Sequence, residues 1–142
     1  MKKNKKIIVS ACLAGVNCKY DGGNNKNDKI MKLFEEDRIA LVCPEELGGM
    51  STPRIAAENI NDKVILQNGV DVTKAFDKGA LEALKIAKSV NADTAIFQQR
   101  SPSCGSKQIY DGTFSRKLIK GKGVTAKLFE EKGINVLTIE DL

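Results

Sequence analysis

Four cysteines, Cys12, Cys18, Cys43 and Cys104, are the side chains of this 142-residue sequence best suited to bind a metal or sulfur. Their spacings match neither the C-x2-C pairs of zinc ribbons nor the tight cysteine run of bacterial ferredoxins. In the reducing cytosol they are expected to be free thiols rather than disulfides. From spacing alone, four small buried side chains are the alternative to a metal site.

The chain contains no histidine, so a Ser-His-Asp triad, a Cys-His nucleophile and an imidazole metal ligand are all excluded. A carboxylate is then the natural group for proton transfer. The segment Cys43-Pro-Glu-Glu46 places Glu45 and Glu46 just after a predicted strand. The alternative is that both are solvated glutamates of a loop.

Two serines, Ser101 and Ser103, flank a proline immediately before Cys104. Their hydroxyls are placed to orient a ligand bound near that cysteine. Local capping of a turn, which Ser-Pro sequences favour, is the alternative.

A glycine motif, Gly121-Lys-Gly-Val-Thr-Ala126, matches the G-x-G-x-x-A pattern of dinucleotide-binding proteins. It follows a loop rather than a strand, and no strand end with an acidic residue lies about 20 residues further on. A tight turn and a helix start are therefore favoured over dinucleotide binding. The N–H groups of such a helix start are also able to hold an anion or polar ligand.

The elements that must position these residues belong to one domain over residues 1–142, with 42% hydrophobic and 29% charged residues. Apolar runs predict strands, and periodic segments predict helices between them. The strands are near residues 6–10, 39–42, 94–97 and 134–138, and the helices near 28–36, 74–90 and 124–132. This alternation predicts an α/β, Rossmann-like, three-layer fold with a mainly parallel sheet of about four strands.

Asn68-Gly69 lies between apolar residues and predicts a small hairpin over residues 64–72. Thr73 is the expected N-cap of the long helix, and Asn27 or Asp28 that of the first. Residues 45–59 are predicted to be mostly loop. Residues 101–123 show no clear period, which is typical of a functional or disordered loop.

Cys12, Cys43 and Cys104 each follow a predicted strand by a few residues. The carboxyl ends of parallel strands share one edge of a sheet, where ligands bind in folds of this class. These three thiols are therefore expected to converge, which favours a metal site over core packing.

The chain has no apolar run near the about 18 residues of a membrane span. The apolar run after the basic start, residues 1–6, is too short for a signal peptide, so a cytoplasmic protein is expected. A net charge of +5, two Tyr, five Phe and no Trp argue against nucleic acid as the main partner. Nothing in the sequence indicates an oligomeric state.

Nine short motifs give the chain its resemblance to a known family. They are Val9-Ser-Ala-Cys-Leu13, Cys18-Lys-Tyr-Asp-Gly22, Cys43-Pro-Glu45, Gly48-Gly49, Pro53-Arg54, Asp71-Val-Thr73, Ser101-Pro-Ser-Cys-Gly105, Ile109-Tyr-Asp-Gly-Thr-Phe114 and Gly121-Lys-Gly-Val-Thr-Ala126. In these motifs and in their order, the chain resembles a bacterial family long catalogued as domain of unknown function 523. The characterised members of that family are thiouracil desulfidases. The resemblance extends from Val9 to the last predicted strand.

The resemblance implies a [4Fe–4S] cluster with three cysteine ligands and one open iron. The matching ligand positions are Cys12, Cys43 and Cys104. It also implies catalytic or substrate contacts at Glu45, Ser101 and Ser103. Cys18 belongs to a family motif as well and is expected to be an additional thiol near the site.

The implied reaction is the non-redox desulfuration of a small thiolated pyrimidine such as 2-thiouracil, giving uracil and hydrogen sulfide. The substrate sulfur is expected on the open iron, because such an iron is a Lewis acid that prefers sulfur ligands. Glu45 is expected to activate water or transfer protons, while Ser101 and Ser103 hold the pyrimidine.

Two other functions compete with this hypothesis. In one, all four cysteines close a structural zinc site in a protein without enzymatic activity. In the other, the protein is an iron–sulfur redox or sulfur-carrier protein acting on thiolated RNA or a partner enzyme. The closed zinc site requires Cys18 as a ligand, whereas the proposed enzyme does not. Only the enzyme, and not a redox or sulfur-carrier protein, should form uracil catalytically.

Overall fold

A computed structural model describes residues 5–142; residues 1–4, with most of the predicted basic start, lie outside the described part. The strands are β1 (Ile7–Ser10), β2 (Ile39–Val42), β3 (Ala57–Ile60), β4 (Lys63–Leu66), β5 (Thr94–Ile96), β6 (Gln108–Tyr110), β7 (Leu118–Lys120) and β8 (Asn135–Leu137). The α-helices are α1 (Asp28–Glu35), α2 (Pro44–Leu47), α3 (Thr73–Ser89) and α4 (Val124–Glu131). Short 3-10 helices cover Ala11–Ala14 and Ile139–Asp141.

Four parallel strands form the central sheet in the order β2-β1-β5-β8. In the centre of this sheet, Ile8 of β1 lies opposite Ala40 of β2 and Ala95 of β5. Two antiparallel hairpins, β3-β4 and β6-β7, lie outside it. The predicted α/β fold with a four-stranded parallel sheet is confirmed, but neither of the two hairpins is the one expected over residues 64–72.

Side chains of adjacent residues point to opposite faces of the sheet, so β1 contributes to two separate cores. Ile8 packs with α3 and α4, where the rings of Phe97 and Phe129 lie 5.2 Å apart. Val9 packs on the other face with the 3-10 helix after β1 and with Ile30 of α1. Helical layers therefore cover both faces, as the Rossmann-like prediction requires.

The predicted helices form with boundaries shifted by about one residue. Asn27 caps α1, because its side-chain oxygen accepts a hydrogen bond of 2.9 Å from the Lys29 N–H. Thr73, the predicted cap of α3, is instead its first residue. Its N–H and its hydroxyl both donate to Asp71 Oδ1, at 2.8 and 2.6 Å, and Val72 takes the N-cap position without a side-chain hydrogen bond, so the predicted cap is wrong.

The segment 45–59 is irregular over residues 48–56, as predicted, but it also contains the last three residues of α2 and the first three residues of β3. The β3-β4 hairpin turns at Asn61 and Asp62, whose φ angles of 48° and 65° are typical of a two-residue hairpin turn. The predicted Asn68-Gly69 turn also forms. The strand pairing across this turn is limited to one antiparallel bridge, between Ile65 and Asp71, because the chain then enters α3.

Residues 101–123 contain the β6-β7 hairpin, in which Ile109 lies opposite Ile119. Each of these strands has three residues, and of the six side chains only that of Ile109 is buried. A strand this short and exposed leaves no detectable period in the sequence.

Within residues 5–142, no helix combines the length and the apolar character needed to cross a membrane.

Candidate active site

A cavity of about 550 Å³ lies beyond the carboxyl ends of β1, β2 and β5. This is the point of the sheet where connections leave the neighbouring strands β1 and β5 toward opposite sides, the usual ligand position in such folds. All four cysteines line the cavity, together with Glu45 and Ser101. The structure thus brings the three thiols selected by their strand-end positions to one place.

The cysteines reach the cavity from different elements. Cys12 lies in the 3-10 helix after β1, Cys43 between β2 and α2, and Cys104 in the turn that follows β5. The Cys43 thiol donates a hydrogen bond of 3.7 Å to the Cys18 carbonyl oxygen. Cys18 therefore belongs to the same group of residues, although it follows no strand directly.

Mutual contact and burial raise the pKa values of several of these thiols. The neighbouring Cys12 raises the pKa of Cys18 to about 11. Contact with Cys18, followed by burial, raises the pKa of Cys43, and burial raises that of Cys104 to about 12. At neutral pH these groups keep their protons unless a bound cation takes the protons' place.

Among the described residues, no three Cys, Asp or Glu side chains are grouped so as to hold a single metal ion. A closed zinc site would require the sulfur atoms to move together into one tetrahedron.

Glu45 is held in a largely buried ion pair. It lies in the first turn of α2, and its Oε1 accepts a hydrogen bond of 3.0 Å from Arg54 Nε. The Arg54 and Glu45 side chains are only 5% and 15% exposed. The Ser101 hydroxyl donates to the other carboxylate oxygen at 3.3 Å. Glu46, by contrast, is exposed and accepts a hydrogen bond from Thr52.

Arg54 connects Glu45 to the loop that carries Cys18. Its Nη2 donates to the Cys18 carbonyl at 2.9 Å, and its backbone N–H donates to the Tyr20 carbonyl at 2.7 Å. Sequence reasoning gave Arg54 no role. The Pro53-Arg54 motif was the available signal, but its partners lie in two distant segments of the chain.

Ser101 both caps a turn and faces the cavity. Its Oγ accepts hydrogen bonds from the N–H groups of Ser103, at 3.1 Å, and Cys104, at 3.0 Å. Its single proton is then free to be donated to Glu45. The turn capping given as the alternative is therefore present, and the ligand contact expected for Ser101 stays a prediction.

Ser103 is enclosed on the far side of the same turn. It is 1% exposed, and its Oγ lies 2.7 Å from Thr125 Oγ1 in α4. It is not among the residues that line the cavity. The substrate contact expected for Ser103 stays a prediction.

The start of α4 holds this turn by its backbone. The N–H groups of Gly123, Val124 and Thr125 donate to carbonyls of the turn, at 2.7, 3.0 and 2.9 Å. They are therefore not available to the anion suggested for this helix start. A Cβ at Gly123 would lie 2.5 Å from the Ser103 carbonyl carbon, so the glycine permits this close approach.

Several other residues that line the cavity were missed by sequence reasoning. They are contributed by the hairpin β3-β4, by β6 and by the segment after it, and they include Glu58, Tyr110, Phe114 and Arg116. Both segments were predicted as irregular or without period, so no side chain in them could be assigned to a sheet edge.

The fold and the cavity define a Rossmann-like α/β protein with a thiol-rich site at the carboxyl edge of its parallel sheet. The family model of 2-thiouracil desulfurase matches residues 7–141, and the chain belongs to that family. It is 43% identical to the uncharacterized protein YbbK of Bacillus subtilis (strain 168), over 96% of this chain and 97% of YbbK. Its fold matches the solved [4Fe-4S]-dependent thiouracil desulfidase TudS with a TM-score of 0.93 and 39% identity, covering 97% of this chain and 93% of TudS.

Proposed function

We propose that this protein removes sulfur from a small thiolated pyrimidine such as 2-thiouracil, producing uracil and hydrogen sulfide. The supporting observation is that four thiols, Glu45 and Ser101 line one cavity. The chain shares its fold over most of its length with a [4Fe-4S]-dependent thiouracil desulfidase.

The donor set fits an iron–sulfur cluster. Cys12, Cys43 and Cys104 come from three separate elements around one cavity, and three thiolates leave one iron of a [4Fe–4S] cluster without a protein ligand. When bound, such a cluster supplies a Lewis-acidic iron with a preference for sulfur over oxygen. Cys18 is the additional thiol, and Arg54 holds the backbone on which it lies.

Glu45 is the proton-transfer group of the proposed reaction. As a carboxylate, it takes a proton from water while the water oxygen forms a bond to the thiocarbonyl carbon. The carbon–sulfur bond then breaks, and the sulfur leaves with protons as hydrogen sulfide. Oxygen replaces sulfur at the same oxidation level of carbon, so no electron donor or acceptor is consumed.

Arg54 and Ser101 orient the carboxylate for this step. The ion pair to Arg54 occupies Oε1, and the Ser101 hydroxyl, which also lines the cavity, binds Oε2. Ser101 is therefore placed to contact both the base and the substrate. Fixing the base beforehand reduces the reorganisation needed in the transition state.

The decisive experiment begins with anaerobic purification, followed by measurement of iron and sulfide per chain and a visible spectrum. The loaded protein is then incubated with 2-thiouracil, and uracil and released sulfide are quantified over many turnovers. We expect about four irons per chain, as the proposed cluster requires, and equal amounts of the two products. Loaded protein that leaves 2-thiouracil intact would contradict the proposal, as would a single stoichiometric release of sulfide.

A further inference from the structure

Glu58 is a buried carboxylate of the cavity wall to which neither the family resemblance nor the mechanism assigns a role. It lies in β3, is 8% exposed and lines the cavity. Among residues 5–142 it takes part in no ion pair. A carboxylate this enclosed is costly unless its oxygens are hydrogen-bonded.

One oxygen of Glu58 is satisfied by the backbone of the segment after β6. Oε1 accepts hydrogen bonds from the N–H groups of Gly112, at 2.9 Å, and Phe114, at 3.1 Å. Oε2 accepts no hydrogen bond from the described residues, and it is not among their fully enclosed polar atoms without a partner, so it keeps contact with solvent. Because Glu58 lines the cavity, this second oxygen is available to a bound molecule.

The segment fastened by Glu58 forms one wall of the cavity through Tyr110, Phe114 and Arg116. It packs so closely on β3 that a Cβ at Gly112 would lie 2.9 Å from the Asn59 carbonyl oxygen. Phe114 and Arg116 have φ angles of 57° and 65°, a region that non-glycine residues enter only when their surroundings impose it. The hydrogen bond from the Phe114 N–H to Glu58 helps to hold Phe114 in this region.

The chemistry of this wall matches a flat heterocycle that carries N–H groups. Two aromatic side chains offer surfaces for a planar ring, and Glu58 offers a hydrogen-bond acceptor that carries no proton when ionised. In 2-thiouracil, an N–H donor lies on each side of the thiocarbonyl carbon. A carboxylate is a suitable acceptor for one of them.

We propose that Glu58 determines the specificity of this cavity: Oε1 fixes the Tyr110–Arg116 wall, and Oε2 accepts an N–H of the bound pyrimidine. This inference rests on the proposed function for the identity of the ligand. It makes Glu58 a residue that recognises substrate, in addition to the proton-transfer group Glu45.

The variants Glu58→Gln and Glu58→Ala separate the two parts of the proposal. In Glu58→Gln, the amide oxygen still accepts the N–H groups of Gly112 and Phe114, but an NH2 donor replaces the acceptor toward the cavity. In Glu58→Ala, both interactions are lost. Glu131→Gln, on the exposed end of α4, is the matched control for the change of charge.

The first test is the KM for 2-thiouracil and for its two N-methylated analogues. Loss of a hydrogen bond to a charged acceptor predicts a KM for 2-thiouracil about tenfold higher in Glu58→Gln, with iron content unchanged. The wild type should discriminate against one of the two methylated analogues, and Glu58→Gln should not. An unaltered KM together with unaltered discrimination in Glu58→Gln would overturn the N–H contact.

The second test is amide hydrogen exchange at Gly112 and Phe114 by NMR. Both amides should exchange faster in Glu58→Ala and at nearly wild-type rates in Glu58→Gln. Unchanged exchange in Glu58→Ala would overturn the role in the wall. Should the wild type fail to desulfurate 2-thiouracil, its binding measured by equilibrium dialysis gives the same comparison of variants, so failure of the proposed activity is distinguishable from failure of the role of Glu58.

Discussion

Glu45 is fixed by a guanidinium and a hydroxyl that come from two different segments. Hydrogen bonds between charged groups are about twice as strong as neutral ones, and a buried ion pair depends on both partners. The arrangement places a preorganised carboxylate at the edge of a thiol-lined cavity. It also predicts which single substitutions affect turnover without affecting cluster binding.

Glu45→Gln should retain the cluster and lose turnover. The amide still accepts hydrogen bonds through one oxygen, but it cannot take a proton from water, so the rate of uracil formation should fall about a hundredfold or more. Iron per chain and the visible spectrum should match those of the wild type. Undiminished uracil formation would remove Glu45 from the mechanism.

Cys18→Ser should keep the iron content of the wild type. Arg54 holds the backbone carbonyl of Cys18 rather than its thiol, so the loop should keep its place in the variant. Cys104→Ser, which removes a proposed ligand, is the matched control and should lose iron. Loss of metal and unfolding of Cys18→Ser would instead support the closed four-thiolate zinc site.

At the scale of elements, the placement of Glu45 depends on the crossing of α2 and α3. A Cβ at Gly79 of α3 would lie 1.8 Å from the Pro44 carbonyl oxygen, and one at Gly48 would lie 2.0 Å from the Ala75 carbonyl oxygen. The two backbones are therefore in direct contact through these glycines. Because α2 begins directly after Cys43, this contact fixes a proposed ligand and the proposed proton-transfer group Glu45 together.

Gly79→Ala tests this contact. Replacing glycine by alanine inside a helix normally stabilises a protein by about 1 kcal/mol. Here the added methyl group should force α2 away and lower the free energy of unfolding by about 1–3 kcal/mol, measured by urea denaturation. Lys78→Ala, at the adjacent exposed position of α3, is the control and should change it little. Increased stability of Gly79→Ala would show that the helices separate without cost.

The elements predicted correctly are those whose signals are local. The four strands of the sheet follow from short apolar runs such as residues 39–42, and α3 follows from its long apolar periodicity. The hairpin β6-β7 was missed because its side chains are mostly exposed, and β3 because its apolar positions are interrupted by Glu58 and Asn59.

For the site, strand-end positions alone selected three of the four cysteines that line the cavity, since the geometry of a parallel sheet is regular. The partners Arg54 and Glu58 could not be predicted in the same way. Their contacts join segments that are distant in the chain, and no local pattern indicates that Arg54 donates to the Cys18 carbonyl or that Glu58 accepts from the Gly112 N–H.

At the scale of the whole molecule, a bound cluster would connect β1, β2 and the turn after β5. A group that binds only the folded chain stabilises it by mass action. Anaerobic removal of iron with a chelator should therefore lower the Tm of the wild type measured by calorimetry. Cys104→Ser, prepared in the same way, should show no such decrease. Equal Tm values for loaded and chelated wild type would indicate that no metal connects these segments.

The positions of the three proposed ligands have a consequence for biosynthesis. Cys12 and Cys43 leave the ribosome long before Cys104, and β5 must insert beside β1 before the third thiol reaches the cavity. A nascent chain that has not yet exposed Cys104 therefore offers at most two of the three sulfurs. Under the proposed function, a cluster is bound by all three only after β1, β2 and β5 have emerged.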